Sequence, residues 1–192
     1  MIISTSDNVK LNVQKTGEGT AVLFVHEFGG DQRSWKPQIN YFSRRYECIT
    51  FNARGYPPSD VPESIESYSQ ERAIEDIADV MKELSVDKAH IVGLSMGGFA
   101  ALHFGIKYPE KAISLTVAGS GYGAEKQYED YFRNVSKDVA SQFIKLGSKE
   151  FSKIYAKASS RIPFLIKDKT GWEDFLKILS EHSNVGASMT MK

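Results

Sequence analysis

The 192-residue sequence lacks a pair of cysteines, a net charge and a long apolar run, and each of these absences bears on the class of protein. Its single cysteine, Cys48, has no partner for an internal disulfide, and the strand-like run YECITF around it predicts a buried, unreactive thiol. Lysine plus arginine equals aspartate plus glutamate, at 24 each, so no net charge attracts nucleic acid or an anionic membrane. No apolar run approaches the roughly 18 residues of a spanning helix, and the N-terminus lacks the pattern of a secretion signal. These absences favour a cytoplasmic protein that binds neither nucleic acid nor membrane.

The first half of the chain alternates between strand-like and helix-like patterns. The run AVLFV at residues 21–25 is continuously apolar, which is typical of a strand covered on both faces. A second β-rich run, YECITFN, is followed by a strong helical stripe over residues 67–85. The strand-like AHIVGLS, another helix and the strand-like AISLTVAGS come next. Repetition of this kind predicts an α/β fold with a mostly parallel, twisted sheet and helices on both faces.

The second half carries helical stripes and no convincing strand. Capping boxes predict two helix starts, at Ser67-x-x-Gln70 for the helix of residues 67–85 and at Thr170-x-x-Glu173 near the end of the chain. The sequence therefore predicts two parts. Residues 1–123 form an α/β core, and residues 124–192 form a helical cap segment.

The sequence Gly93-Leu94-Ser95-Met96-Gly97 has the G-x-S-x-G pattern at the point where a buried strand gives way to a helix. A nucleophile elbow needs this arrangement, because small residues on either side let the strand and helix approach while the serine occupies a strained turn. The helix N-terminus then directs free N–H groups at a developing oxyanion. The pattern predicts that Ser95 is a nucleophile; an incidental serine in a strand–turn–helix is the alternative.

Two further motifs precede the elbow. HEFGG at residues 26–30 and NARGYPPS at residues 52–59 each follow a predicted strand. With GLSMG, they resemble in order the motifs of the α/β-hydrolase family, and the resemblance covers essentially the whole chain. It implies the α/β-hydrolase fold with a helical cap, and an oxyanion hole formed by the backbone N–H groups of Phe28 and Met96. It also implies a small ester-like substrate, namely a carboxylic ester, a lactone or a related carbon–carbon bond, with no metal and no organic cofactor.

Three positions depart from the family pattern. Glu27 replaces the usual glycine, so an acidic side chain must fit beside the oxyanion loop. Asn52 replaces the usual aspartate, and Pro57 replaces the second glycine of the Arg-Gly turn. We expect Arg54 to anchor that turn through hydrogen bonds to nearby carbonyl groups, with a solvated arginine as the alternative.

A serine hydroxyl is a weak nucleophile without an adjacent base, and in this fold the base is a histidine that follows the serine in the chain. Only four histidines exist. His26 opens the oxyanion loop and is expected to be structural, and His90 lies in the strand before the elbow. His103 shares a helix face with apolar residues and is expected in the core. His182 is expected to cap the last helix, with a position facing the active-site mouth as the alternative. None of them is a credible base.

The triad acid is missing as well. The last predicted strand ends in Gly121-Tyr122-Gly123 without a carboxylate, and Glu125 is only a faint candidate. Neither the family's acid loop nor its Gly-His pair occurs in the chain. We therefore expect an incomplete α/β-hydrolase fold with six of the usual eight strands, in which neither the triad acid nor the triad histidine is present, and which is weakly active or inactive alone.

Two alternatives to a serine hydrolase fragment stay open. The chain could be a non-catalytic ligand-binding module of this fold, or one half of a two-chain enzyme whose partner supplies the missing strands. An incomplete sheet also exposes the strand that carries Ile113, Leu115 and Val117, which has no proline or inward-pointing charge to protect its edge. This edge predicts self-association of the isolated chain.

Overall fold

A computed structural model describes residues 1–121 and 125–192 of the chain. The described part contains a single sheet and a set of helices that alternate with its strands in the first half. The strands are β1 (Ile2–Ser4), β2 (Lys10–Thr16), β3 (Ala21–Val25), β4 (Glu47–Phe51), β5 (Ala89–Leu94) and β6 (Ala112–Ala118). The α-helices are α1 (Lys36–Phe42), α2 (Gln70–Glu83), α3 (Met96–Lys107), α4 (Glu129–Leu146), α5 (Ser148–Tyr155), α6 (Ile162–Lys167), α7 (Lys169–Ser180) and α8 (Asn184–Thr190).

The strands are arranged in the order β1-β2-β4-β3-β5-β6. The first two form an antiparallel hairpin, in which Ile3 pairs with Leu11, and β2 is also antiparallel to β4. The remaining neighbours, β4–β3, β3–β5 and β5–β6, are all parallel. The predicted mostly parallel sheet is therefore confirmed, with its antiparallel strands confined to one end.

Helices cover both faces of the sheet, as the alternating pattern predicts. On one face, α2 and α3 pack against strand residues that include Leu23 and Ile91, both fully buried. On the other face, Trp35 and Cys48 form a smaller cluster with Val22 and Phe24. Each residue of β3 is buried, because this strand lies inside the sheet between both layers. Cys48 is buried as predicted, and this burial raises the pKa of its thiol.

Strand β6 is the exposed edge that the sequence predicts. It pairs with β5 on one side only, and nearly all of its side chains are solvent-exposed. Ile113, Leu115 and Val117 are 46%, 38% and 40% exposed, although they alternate along the strand and so lie on one face. The opposite face is polar, and Ser114 there contacts Nδ1 of His90 at 2.7 Å. The apolar surface is thus confined to the face that carries α3.

Both predicted capping boxes are misplaced. Helix α2 begins after Ser69, whose hydroxyl accepts a hydrogen bond from the backbone N–H of Arg72, and Ser67 lies in a preceding 3₁₀ turn. Helix α7 begins after Asp168, which accepts from Gly171 N at 2.9 Å, two residues before Thr170. In both cases the side chain of a different residue, Ser69 or Asp168, accepts the hydrogen bond that caps the helix.

Helices α4 to α8 form a separate layer over the end of the sheet that carries the loop after β3. Their cluster includes Phe143, Trp172 and Leu179, and it also takes in Phe28 and Tyr56 from loops of the α/β part. The predicted boundary between residues 123 and 124 lies outside the described residues, so the division into core and cap stays a prediction. Within the described part of the chain, no helix is both long enough and apolar enough to span a membrane.

Candidate active site

Ser95 lies at a sharp turn between β5 and α3. Its backbone has φ 53° and ψ −113°, which is unusual for a residue with a side chain. The turn is tight enough that a Cβ at Gly93 would collide with the backbone of Gly97, and a Cβ at Gly97 would collide with the backbone of Val25. The glycines of G-x-S-x-G therefore have the steric role that the sequence predicts.

The backbone around Ser95 is held on both sides. Its N–H donates to the carbonyl of Ala118 at the end of β6, at 2.7 Å. Its carbonyl accepts from Phe99 N at 3.1 Å and from the Ser120 hydroxyl at 2.9 Å. The hydroxyl of Ser95 itself makes no hydrogen bond within residues 1–121 and 125–192.

The loop that follows β3 is organised by His26. This imidazole is fully buried; its Nε2 accepts from Ala53 N at 3.0 Å, so its Nδ1 carries the proton and donates to the Glu27 carbonyl at 2.8 Å. Burial lowers the pKa of His26, which agrees with a neutral ring. The histidine therefore ties the HEFGG loop to the loop after β4, which is the structural role expected of it.

Phe28 and Met96, the predicted oxyanion-hole residues, line the same cavity as Ser95. Glu27 lines this cavity too, and its side chain is accommodated next to the loop. It is 8% exposed, with Oε1 accepting from the Ser34 hydroxyl at 3.2 Å and Oε2 buried without a partner among the described residues. The acidic side chain at this position is thus buried beside the loop.

Arg54 anchors its turn more through carboxylates than through the carbonyls that the sequence suggested. Its guanidinium donates to Asp76 at 2.9 and 2.6 Å, to Asp7 at 2.8 and 2.9 Å, and to the carbonyl of Ser67 at 2.8 Å. Hydrogen bonds from Arg54 hold the pKa of Asp7 well below its usual range. The solvated alternative is excluded, because Arg54 is only 5% exposed.

Two histidine predictions are wrong. His103 is exposed on α3 rather than buried in the core. His182 does not cap α7; it is buried, neither ring nitrogen has a hydrogen-bond partner among the described residues, and its ring packs edge-on against Tyr56. Burial lowers the pKa of His182 to about 4. It lines a second cavity, of about 420 Å³, that does not include Ser95.

The structure brings no acid or base to Ser95 among the residues it describes. Glu125, the faint acid candidate, is exposed and accepts a hydrogen bond from Gln127 at 2.9 Å. Tyr122 and Gly123 lie outside the described residues. In the described part of the chain no three His, Cys, Asp or Glu side chains are placed to hold a metal ion.

The cavity of Ser95 is large, at about 1890 Å³, and is enclosed mainly by the helical layer. Residues from several helices form its apolar wall. They include Phe99, Val139, Phe151, Tyr155, Phe164 and Phe175. A cavity of this kind can take a small apolar or amphipathic molecule with its reactive group at the elbow.

Comparison with known proteins defines the class. Residues 20–170 match the α/β hydrolase fold family, and the chain belongs to this family. Over 122 residues it is 34% identical to 3-oxoadipate enol-lactonase 1 of Acinetobacter baylyi, covering 62% of this chain and 45% of the relative. Over 109 residues it is 36% identical to epoxide hydrolase 1 of Caenorhabditis elegans, covering 56% of this chain and 27% of the relative. The chain thus spans less than half the length of these curated relatives.

Solved structures agree on the fold. The enol-lactonase from Burkholderia xenovorans LB400 superposes with a TM-score of 0.83 at 15% identity, covering all of this chain and 72% of the other. A thermophilic esterase from Thermogutta terrifontis gives a TM-score of 0.84 at 21% identity, covering all of this chain and 71% of the other. At these identities the likeness shows the α/β-hydrolase fold alone.

Proposed function

We propose that this chain carries the nucleophile and oxyanion hole of a serine hydrolase that acts on small carboxylic esters, lactones or related carbon–carbon bonds. The observation that carries the proposal is the strained backbone of Ser95 at the start of α3, inside a large cavity that Phe28 and Met96 also line. Relatives named as an enol-lactonase and as epoxide hydrolases, together with the shared family, support a hydrolase.

The chemistry follows from the position of the serine. Ser95 Oγ bonds to the substrate carbonyl carbon, and the backbone N–H groups of Phe28 and Met96 stabilise the resulting oxyanion. The bond to the leaving alcohol then breaks, the serine proton passes to that alcohol, and water hydrolyses the acyl-enzyme. The proton transfers need a base, and the described residues supply none to Ser95. Without it, we expect only about 10³–10⁴-fold acceleration over water, from the oxyanion hole and binding.

The proposal therefore includes an incomplete catalytic machinery. The free edge of β6, with its unpaired backbone groups and exposed Leu115, is where further strands that bring an acid and a histidine could add. These strands would come from the rest of a longer chain or from a separate one. The same edge leads us to expect self-association when the chain is isolated.

A non-catalytic ligand-binding module is the second candidate. The observation that favours it is the Ser95 hydroxyl, which has no hydrogen-bonding base among the described residues. A large cavity with an apolar wall would serve a receptor as well as an enzyme.

A fluorophosphonate probe separates the two. Under the hydrolase proposal the probe modifies Ser95 slowly but in preference to the other serines, because oxyanion donors stabilise the phosphonyl oxygen as it forms. Peptide mapping by mass spectrometry locates the adduct, and Ser95→Ala is the control. No adduct at Ser95 contradicts the hydrolase and favours the binding module. Ester hydrolysis at an ordinary turnover of about 10 s⁻¹ would show instead that the chain already holds a base.

A further inference from the structure

Six basic residues line the cavity of Ser95, and Arg161 differs from the rest. Five of them are exposed, namely Arg33, Lys36, Lys153, Lys157 and Lys177. Arg161 is half-buried and comes from the 3₁₀ turn that precedes α6. It is therefore the least exposed of the basic side chains that line the cavity.

The Arg161 guanidinium is held between two aromatic rings. It lies 5.0 Å from the ring centroid of Phe175 and 5.4 Å from that of Tyr155, and it donates a long hydrogen bond to the Tyr155 hydroxyl at 3.4 Å. Stacking of this kind fixes the plane of the guanidinium and lowers the entropy that it loses on binding. Its orientation is thus set before any ligand arrives.

The same two rings connect Arg161 to the oxyanion loop. Tyr155 packs against Phe28 with ring centroids 5.8 Å apart, and Phe175 lies directly over Gly29. The guanidinium is therefore one aromatic layer away from the predicted oxyanion residue. A substrate whose carbonyl lies at Ser95 would extend along these rings toward Arg161.

Arg161 has no carboxylate within 4.0 Å among the described residues. The other arginine of the cavity, Arg33, is neutralised by Asp31 and Glu181. Of the aspartates that line the cavity, Asp168 caps α7 through Gly171 N, and neither Asp138 nor Asp174 forms an ion pair with Arg161. A partly desolvated guanidinium whose nitrogens lack an anionic partner is suited to a carboxylate, whose two oxygens match its planar donors.

We propose that Arg161 binds a carboxylate of the substrate, so that the site selects esters or lactones that carry a second, negatively charged acid group. This inference rests on the proposed function for the identity of the reacting group, but the anion-binding role of Arg161 does not depend on the chemistry at Ser95. In this arrangement the distal carboxylate fixes the substrate and the ester carbonyl is left at the elbow. Arg161 is a specificity-determining residue rather than one that takes part in bond cleavage.

The test compares the binding of matched esters to the full 192-residue chain. Monomethyl esters of straight dicarboxylic acids, from succinate to suberate, carry one carboxylate, and the corresponding dimethyl esters carry none. Isothermal titration calorimetry should show tighter binding of the monomethyl esters, with a best chain length that reports the distance between Arg161 and Ser95. Replacing Arg161 by Gln should weaken the binding of that best monomethyl ester by about 10- to 100-fold and leave its dimethyl ester unchanged.

Two further variants complete the test. Arg161→Lys keeps the charge but loses the planar pair of donors, and we expect it to recover only part of the affinity. Lys157→Gln removes an exposed charge from the same cavity and should leave the preference intact. Equal affinities of the Arg161→Gln and unmodified chains for the monomethyl ester, with both folded by circular dichroism, would overturn the proposal and leave Arg161 a packing residue.

The same measurements in Ser95→Ala separate this inference from the proposed function. Binding needs no nucleophile, so the carboxylate preference should persist in that variant. If the monomethyl esters bind more tightly but the fluorophosphonate probe fails to modify Ser95, the hydrolase proposal is refuted and the carboxylate-binding proposal is retained. If Ser95 is modified and no preference is found, only the role of Arg161 is refuted.

Discussion

Acid should destabilise this chain in part through the buried imidazole of His182. His182 is 8% exposed, packs edge-on against Tyr56, and has no hydrogen-bond partner for either ring nitrogen among the described residues. Protonation of the ring places an unpaired charge in an environment that does not solvate it. Replacing His182 by Leu removes the titrating group and leaves no new polar atom unsatisfied, so the variant should lose less stability in acid.

The size of the effect follows from the two pKa values. Burial lowers the pKa of His182 from 6.5 to about 4. Between these values the unfolded chain binds a proton that the folded chain does not, so stability falls as the pH drops through this window. The largest loss in the free energy of unfolding that His182 can cause is about 3 kcal/mol, at 1.36 kcal/mol per pKa unit, and it is reached below pH 4. From pH 7 to pH 5, His182 alone should lower the free energy of unfolding by about 2 kcal/mol.

Urea denaturation followed by circular dichroism at pH 7 and pH 5 measures this quantity. Other groups also titrate in this range, among them His26, whose pKa is lowered as well, so the informative number is the difference between the unmodified chain and His182→Leu. The variant His103→Gln, at an exposed position on α3, controls for loss of an imidazole and should keep the unmodified pH dependence. An equal loss of stability in the unmodified and His182→Leu chains would refute the reasoning.

Three further predictions concern the loop anchor, the elbow and the sheet edge. Replacing Asp76 by Ala leaves the buried Arg54 with Asp7 as its remaining carboxylate partner and should cost about 2–3 kcal/mol in urea denaturation; a loss below 1 kcal/mol would contradict an anchoring role. Gly97→Ala forces a Cβ against the Val25 carbonyl and should lower the melting temperature and abolish labelling of Ser95; an unchanged labelling rate would contradict a tight elbow. Leu115→Lys places a charge on the β6 edge and should shift the chain toward monomer in sedimentation at micromolar concentration. A monomeric unmodified chain would show that this edge does not cause self-association.

The sheet was predictable because its signals are local. Continuous apolar runs such as residues 21–25 identify strands that are buried on both faces, and the alternation with helical stripes identifies their parallel arrangement. The elbow was predictable for the same reason, since G-x-S-x-G encodes a steric requirement within five residues. The exposed edge at β6 followed from the family resemblance rather than from any local signal.

The features that the sequence did not reveal depend on distant contacts. Arg54 is held by Asp7 and Asp76, which are 47 and 22 residues away, and no local pattern marks them as partners. The predictions of a core position for His103 and a capping role for His182 are wrong, because burial is decided by what packs against a helix. Arg161 belongs to no sequence motif, and the aromatic rings that pack against it come from α5 and α7.

The backbone conformation of Ser95 lowers the stability of the fold at the position of the proposed nucleophile. A residue with a side chain in such a conformation costs about 1–3 kcal/mol, a sizeable part of the 5–15 kcal/mol by which an average domain is stable. Alanine would keep that cost, whereas glycine adopts positive φ without it. Selection for stability alone would therefore place glycine at position 95, and the serine found there is the choice of a chain selected for something else.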